Sequence, residues 1–212
     1  MSNKNYHHGA LKEALVCSAR KILTDQGADA LSLRVIASDV GVSHMAPYSH
    51  FKNKKELVQA IAASGFNELT EKMLSDSQAL NKPQDLILAY GVTYIEFAIE
   101  HPQLYRLMLG QVETSGKRSL KTDKRHNSKT ESTSPIVSLE LEASSNRPFD
   151  LLHDAFFKAL KTDDALTVKA QALGAWSMVH GMAALIIEGH FSIPDTLSVK
   201  DFLALATVKL KD

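Results

Sequence analysis

Between Ala37 and Leu57 the chain reads ASDVGVSHMAPYSHFKNKKEL. A small-residue turn, Gly41–Val42–Ser43, is followed at once by His44, Met45, Pro47, Tyr48, Ser49 and His50, and then by the lysine-rich start of another segment. A phenol and an imidazole can donate to non-bridging phosphate oxygens, and the Lys54 ammonium adds charge close to a phosphate backbone. His44 and Met45 lead the element after the turn, where side chains meet base edges if that element lies in a groove. Ser43 is placed to cap this element, and Pro47 falls close enough to its start to be tolerated, with the loss of one donor. Arg34, one element earlier, stands where a helix crossing a nucleic-acid backbone would meet a phosphate. The residue types suit contact with a polyanion rather than bond-making.

Chemistry of the bond-making kind has no comparable constellation. No Gly-x-Ser-x-Gly or glycine-rich phosphate loop occurs, so no catalytic residue is assigned. The nine histidines include no His-Glu-x-x-His, and His180 and His190 stand ten residues apart, so neither a metal nor a cofactor is called for. Cys17 is the only cysteine, which excludes an intrachain disulfide and makes a reducing, cytoplasmic setting the expectation. It falls opposite the apolar stripe of its helix, and no second cysteine could resolve its oxidised form.

The elements that must hold the polar stretch read as helices throughout. Leu11, Leu15, Ser18, Ala19, Ile22 and Leu23 recur at helical spacing, predicting a first helix over 9–25 that stops at Gly27. Ser32 is the expected N-cap of a second helix over 33–40, with Gly41 as its stop. A third short helix is expected from Ser43 to about Phe51, and a longer fourth from about Asn53. Two short helices around a glycine turn match a helix-turn-helix. The body continues with helices from Pro83, over 103–109, 149–161 and 165–190, and over 199–210. Residues 113–148 are polar, with six Lys/Arg between Lys117 and Lys129, and read as a long loop without regular structure. Within them Ile136 to Glu142 partly alternate, a faint strand signal.

With 44% hydrophobic and 23% charged residues the composition is that of a globular, water-soluble chain. No apolar run is expected to reach the ~20 residues that cross a bilayer, and no membrane partner is expected. MSNKNYHHG at the start has no apolar stretch resembling a secretory leader. Net charge is zero, but the first 60 residues carry eight Lys/Arg against five Asp/Glu, leaving the rest at −3. A basic head on an acidic body agrees with a polyanion partner.

LRVIASDVGVSHMAPYSHFKNKKELVQAI resembles the DNA-binding segment of the TetR family of one-component bacterial regulators. Tyr48, His50, Phe51 and Lys54 stand at the Tyr-x-His-Phe and helix-opening lysine positions of that family's motif. YHHGALKEAL, HPQLYRLML and WSMVHG resemble the subgroup with a Trp…His–Gly signature. The resemblance implies an all-α homodimer with a three-helix DNA-binding head (1–53) and a larger effector-binding and dimerisation body (54–212). It implies a repressor on double-stranded DNA, at an inverted-repeat operator, released by a small-molecule effector. A helical effector-binding or scaffolding protein without specific DNA binding is the alternative.

In the body, Phe66, Tyr90, Tyr94, Phe97, Tyr105, Phe156 and Phe157 read first as core, and periodicity does not separate core from pocket. Tyr94, Phe97, Phe157, Trp176 and His180 are the expected effector-pocket residues. The helix carrying Trp176 is apolar nearly all round, and at ~100° per residue Gly174, Met178, Gly181 and Leu185 share the face expected at a dimer seam.

Overall fold

A serine and a glycine fix the helix before the turn. Ser32 sits in extended backbone and its Oγ accepts the Val35 N–H at 3.2 Å, and Gly41 ends the helix at φ 75°, where a Cβ would be strained. The computed structural model describes residues 8–115 and 135–206, with side chains over 10–110 and 139–206. Among them there are eight α-helices and no strand: α1 (His8–Gln26), α2 (Leu33–Val40), α3 (Lys54–Asp76), α4 (Pro83–Glu100), α5 (Pro102–Ser115), α6 (Pro135–Leu160), α7 (Ala165–Ile187) and α8 (Val199–Ala206).

The chain divides into two compact units, Met1–Gly65 with Gln103–Ser144, and Phe66–Pro102 with Ser145–Asp212. In the first, the α1 stripe Leu11, Leu15, Ser18, Ala19, Ile22 and Leu23 is buried as its spacing predicts, while Cys17 is exposed. Leu15, Ile36, Phe51, Leu57 and Ile61 are fully buried, each worth roughly 1.5–3 kcal/mol of apolar burial. Polar ties fix the angles between helices: Ser18 Oγ donates to Asp39 Oδ2 at 2.7 Å, and Arg20 Nη1 donates to Ser64 Oγ at 3.2 Å. At the head of α3, Asn53 Oδ1 accepts the Glu56 N–H at 3.0 Å and Glu56 Oε2 accepts the Lys52 N–H at 2.9 Å, a reciprocal cap.

The second unit is built on α4, α7 and α8. Gly91 of α4 is buried, and a Cβ there would lie 2.8 Å from Leu203 Cδ2 of α8 and 3.3 Å from Val179 Cγ1 of α7. That close approach explains the glycine. Val168, Ala172, Val179 and Ala183 form the buried side of α7.

Four expectations need correcting. The segment after the turn is a 3-10 helix, Ala46–Ser49, rather than an α-helix from Ser43 to Phe51. Pro47 has no N–H to offer the Ser43 carbonyl, which instead accepts the Ala46 N–H at 2.9 Å, so the short hydrogen-bond pitch prevails. Ser43 therefore contributes its carbonyl rather than a side-chain cap. Second, α5 runs on to Ser115 and α6 begins at Pro135, so the stretch expected as one loop over 113–148 is helical over 113–115 and 135–148. Residues 116–134 lie outside the described residues. Third, Pro148 is inside α6 rather than before it; Leu141, Ser144, Pro148, Leu152 and Ala155 are its buried positions, at helical spacing. The alternation over 136–142 is thus not a strand. Fourth, Ala165–Ile187 is long and apolar enough to cross a membrane by length and composition, contrary to the expectation that no apolar run reaches that length. One such helix is not by itself a membrane signal, since helices of soluble folds pass the same test. The last helix is described only to Ala206, so its expected end at 210 lies outside the described residues.

Candidate nucleic-acid interface and ligand cavity

In the first unit, the left-handed Gly41 turns the chain so that the following residues face outward. Ser43, His44 and Met45 are exposed, Met45 to 72%. Nothing about core packing explains an uncovered methionine beside a histidine at the start of an element. Tyr48 is 45% exposed, and Arg34 is exposed on α2. Lys54 is exposed too, with Nζ donating to the Ala28 carbonyl at 3.2 Å, which anchors the ammonium while leaving it two further donors. His50 is half-buried, its ring 6.4 Å from that of Phe51.

Pro47 is the exception. It is buried, so it packs beneath the surface that its neighbours form and is not available for contact. Ser49 is exposed, but its hydroxyl donates to the Ala46 carbonyl at 2.7 Å. Val35 is 45% exposed beside Arg34 in the first turn of α2, and an outward apolar residue there belongs to no motif that would find it. Lys52 and Lys55 are exposed as well.

The second unit encloses a cavity of about 420 Å³ between α4, α6, α7 and α8, with Met73 of α3 on its wall. This is within the usual size of small-molecule sites. Tyr94 and Trp176 line it, with ring centroids 4.9 Å apart in an edge-to-face arrangement. His180 stacks on Tyr94, centroids again 4.9 Å apart, and the Tyr94 phenol oxygen is 3.0 Å from His180 Nε2. Burial pushes the His180 imidazole below its ordinary value, and a hydrogen bond with the Trp176 carbonyl one turn earlier partly offsets this. The ring is therefore neutral at pH 7. The Tyr94 hydroxyl and His180 Nε2 share one hydrogen bond, whose direction is set by the imidazole tautomer.

Three of the five expected pocket residues are not in the cavity wall: Phe97, Phe157, and His180, which packs against Tyr94 and Trp176. Phe97 is fully buried against His101, centroids 5.0 Å apart, and is not in the cavity wall. Phe157 is 54% exposed, and its neighbour Phe156 lines the cavity instead, one residue and ~100° away. Tyr90, Ile87, Leu88 and Leu152 also line it, and Gln84 and Asp85 bring polar groups to it from the first turn of α4.

Of the four residues expected at a seam, Gly174, Gly181 and Leu185 are exposed, with open space at both glycines. Met178 lines the cavity and leaves that group. The exposed side of α7 runs through Leu166, Ala170, Leu173, Ser177, Gly181 and Ala184, so it is centred partly around the helix from the expected face.

Two family models match the chain: the tetracyclin repressor-like C-terminal domain over residues 87–208, and the tetR family of bacterial regulatory proteins over residues 15–61. In sequence the chain is 26% identical over 104 residues to the uncharacterized HTH-type transcriptional regulator YobS of Bacillus subtilis, covering 49% of this chain and 54% of YobS. It spans about half or less of the length of the sequence relatives it matches. Among solved structures, a protein of unknown function from Rhodococcus sp. RHA1 is 28% identical, with a TM-score of 0.71 over 96% of this chain and 95% of that one. AibR, solved in complex with isovaleryl coenzyme A and operator DNA, is 20% identical, with a TM-score of 0.54 over 92% and 94% of the two chains.

Proposed function

Because the chain belongs to the TetR family of bacterial regulatory proteins, we propose that it is a one-component transcriptional regulator. In this reading it is a repressor that leaves its operator when a small molecule enters the body, and it catalyses no reaction. The observation that carries the reading is the surface after Gly41, where His44, Met45 and Tyr48 stand outward with Arg34 and Lys54 around them. His44 and Met45 read base edges; Arg34, Tyr48, His50 and Lys54 hold phosphates. Residues 1–53 then form the DNA-binding domain and 54–212 the effector-binding and dimerisation domain.

The partner in dimerisation is a second copy of the chain. Leu166, Leu173 and Leu185 of α7 and Phe157 of α6 are 76%, 52%, 49% and 54% exposed, apolar side chains that a second copy would cover. A two-fold dimer reads an inverted repeat, its half-sites about one helical turn (~34–36 Å) or a multiple apart. AibR's complex with isovaleryl coenzyme A and operator DNA supports a like division of labour in a chain of the same fold. The setting is the cytoplasm, where the DNA lies.

Selection of bound DNA from a random pool tests the reading. An enriched inverted repeat, with affinity that falls as salt rises, is the expected result. Failure to enrich any sequence would favour the effector-binding or scaffolding alternative.

A further inference from the structure

The rim of the cavity narrows its ligand. Among the described lining residues the only formal charge is the Asp85 carboxylate, which stands with Gln84 in the exposed first turn of α4. No lysine or arginine is among them. Behind the rim the wall is hydrocarbon and aromatic, with the faces or edges of Tyr90, Tyr94, Phe156 and Trp176.

An anionic ligand would bring its charge beside the Asp85 carboxylate, a like-charge contact that disfavours it, modestly because the turn is exposed. An acyl-coenzyme A, with several phosphates, fits this wall poorly on that ground. A cation is favoured by the carboxylate and by the negative faces of the aromatic rings.

We infer that the cavity takes an apolar organic cation, an ammonium-bearing molecule whose hydrocarbon or aromatic body enters the wall while its charge stays at the Asp85 rim. The inference rests on reading the cavity as a ligand site, but not on the reading of the first unit as DNA-binding. Keeping the charged head at an exposed rim avoids full dehydration of the ammonium, and the apolar body supplies the affinity.

Three probes with one skeleton test this on the full chain: 4-phenylbutylammonium, 4-phenylbutan-1-ol and 4-phenylbutanoate. Calorimetry gives the affinities, and the emission of Trp176, the chain's only tryptophan, places the binding at the cavity wall. The ammonium should bind about fivefold or more tighter than the alcohol, and the carboxylate weakest. Asp85→Asn should reduce the ammonium to the alcohol's affinity and leave the alcohol unchanged, while Asp154→Asn, an exposed acid away from the wall, should preserve the ratio. The inference is overturned if the carboxylate equals the ammonium, if Asp85→Asn leaves their ratio intact, or if none of the three perturbs Trp176. Whether the ammonium also releases DNA bears on the proposed function alone, so the two readings fail separately.

Discussion

The phenol oxygen of Tyr94 lies 3.0 Å from Nε2 of His180, joining the middle of α4 to the middle of α7 through a stacked pair of rings. Tyr94 lines the cavity and His180 packs against it, so the bond that holds two helices together also fixes one ring of the cavity wall. Tyr94→Phe removes the hydroxyl while preserving the stack. The loss of that hydrogen bond to a largely buried imidazole should destabilise the chain by roughly 1–3 kcal/mol in urea unfolding. A change below about 0.5 kcal/mol would mean that the hydrogen bond contributes nothing net.

The same histidine sets a pH dependence. Burial holds its folded value below the ordinary one, while the unfolded ring titrates near pH ~6.5. Above that pH the ring is neutral in both states and the stability is fully present. As pH falls, the unfolded chain takes up its proton first, so stability drops from about 6.5 downward until the folded ring titrates as well. His180→Gln removes this contribution. The stability difference between the native chain and His180→Gln should therefore shrink between about pH 7 and pH 5, and a difference constant with pH would contradict the assigned burial effect.

Much of the fold was legible because its signals are local. Ser32 and Gly41 bracket α2 through one side-chain cap and one left-handed backbone, and both can be read from residue type. The two prolines were harder. Residue type makes Pro47 tolerable early in a helix and Pro148 a helix boundary, whereas the first imposes a 3-10 pitch and the second sits inside a 26-residue helix. What decides each is where neighbouring elements let the chain go, which residue type alone does not encode. Within the site, Tyr94 and Trp176 are legible because polar-tipped aromatics on apolar helices attract notice, while His180 packs against both without lining the cavity. Phe97, Phe156 and Phe157 are equally apolar, and only packing sends one to the core, one to the cavity and one to the surface. Asp85 escaped because an acid in a first turn has a sufficient local explanation in the helix dipole.

Gly41 and Gly91 should respond to alanine for different reasons. A Cβ at Gly41 meets nothing within 4 Å, so Gly41→Ala carries only the strain of φ 75°, about 1–2 kcal/mol. Gly91→Ala must displace Leu203 and Val179, so α8 should loosen from α4 and exchange its amide hydrogens faster. Equal protection of α8 in both variants would show that Leu203 yields without moving its helix.

The proposed dimer face makes a third demand. Gly181 is exposed and a Cβ there has open space within the chain, so Gly181→Leu should leave the protomer's stability nearly unchanged. Across a closely approached two-fold seam the added side chain has no room, and sedimentation should shift toward monomer by tenfold or more in dissociation constant, about 1.4 kcal/mol or more. Unaltered self-association would move the seam off this side of α7.

The nucleic-acid surface separates charge from reading. Lys54 is exposed and held by a single hydrogen bond to Ala28, so Lys54→Ala removes one positive charge with little disturbance of the α3 cap, which Asn53 and Glu56 maintain. If that charge neutralises one phosphate, the slope of log affinity against log salt should flatten by about one unit, equally on operator and unrelated DNA. Tyr48→Phe takes away a neutral donor, so it should weaken binding on every sequence without altering that slope. His44 and Met45, both exposed and ahead of the 3-10 turn, should behave oppositely: His44→Ala and Met45→Ala change which bases are preferred while the salt slope holds. The 3-10 pitch sharpens this last expectation. It carries Pro47 inward and Tyr48 outward, which leaves His44 and Met45 as the leading exposed side chains of the segment. Binding measured across a salt series on a set of operator variants distinguishes the two behaviours. A Lys54→Ala chain that keeps its full salt slope at measurable affinity would remove Lys54 from the phosphate contacts, and base preferences untouched by both His44→Ala and Met45→Ala would place base reading on other residues, with exposed Val35 and Arg34 of α2 next to be tested.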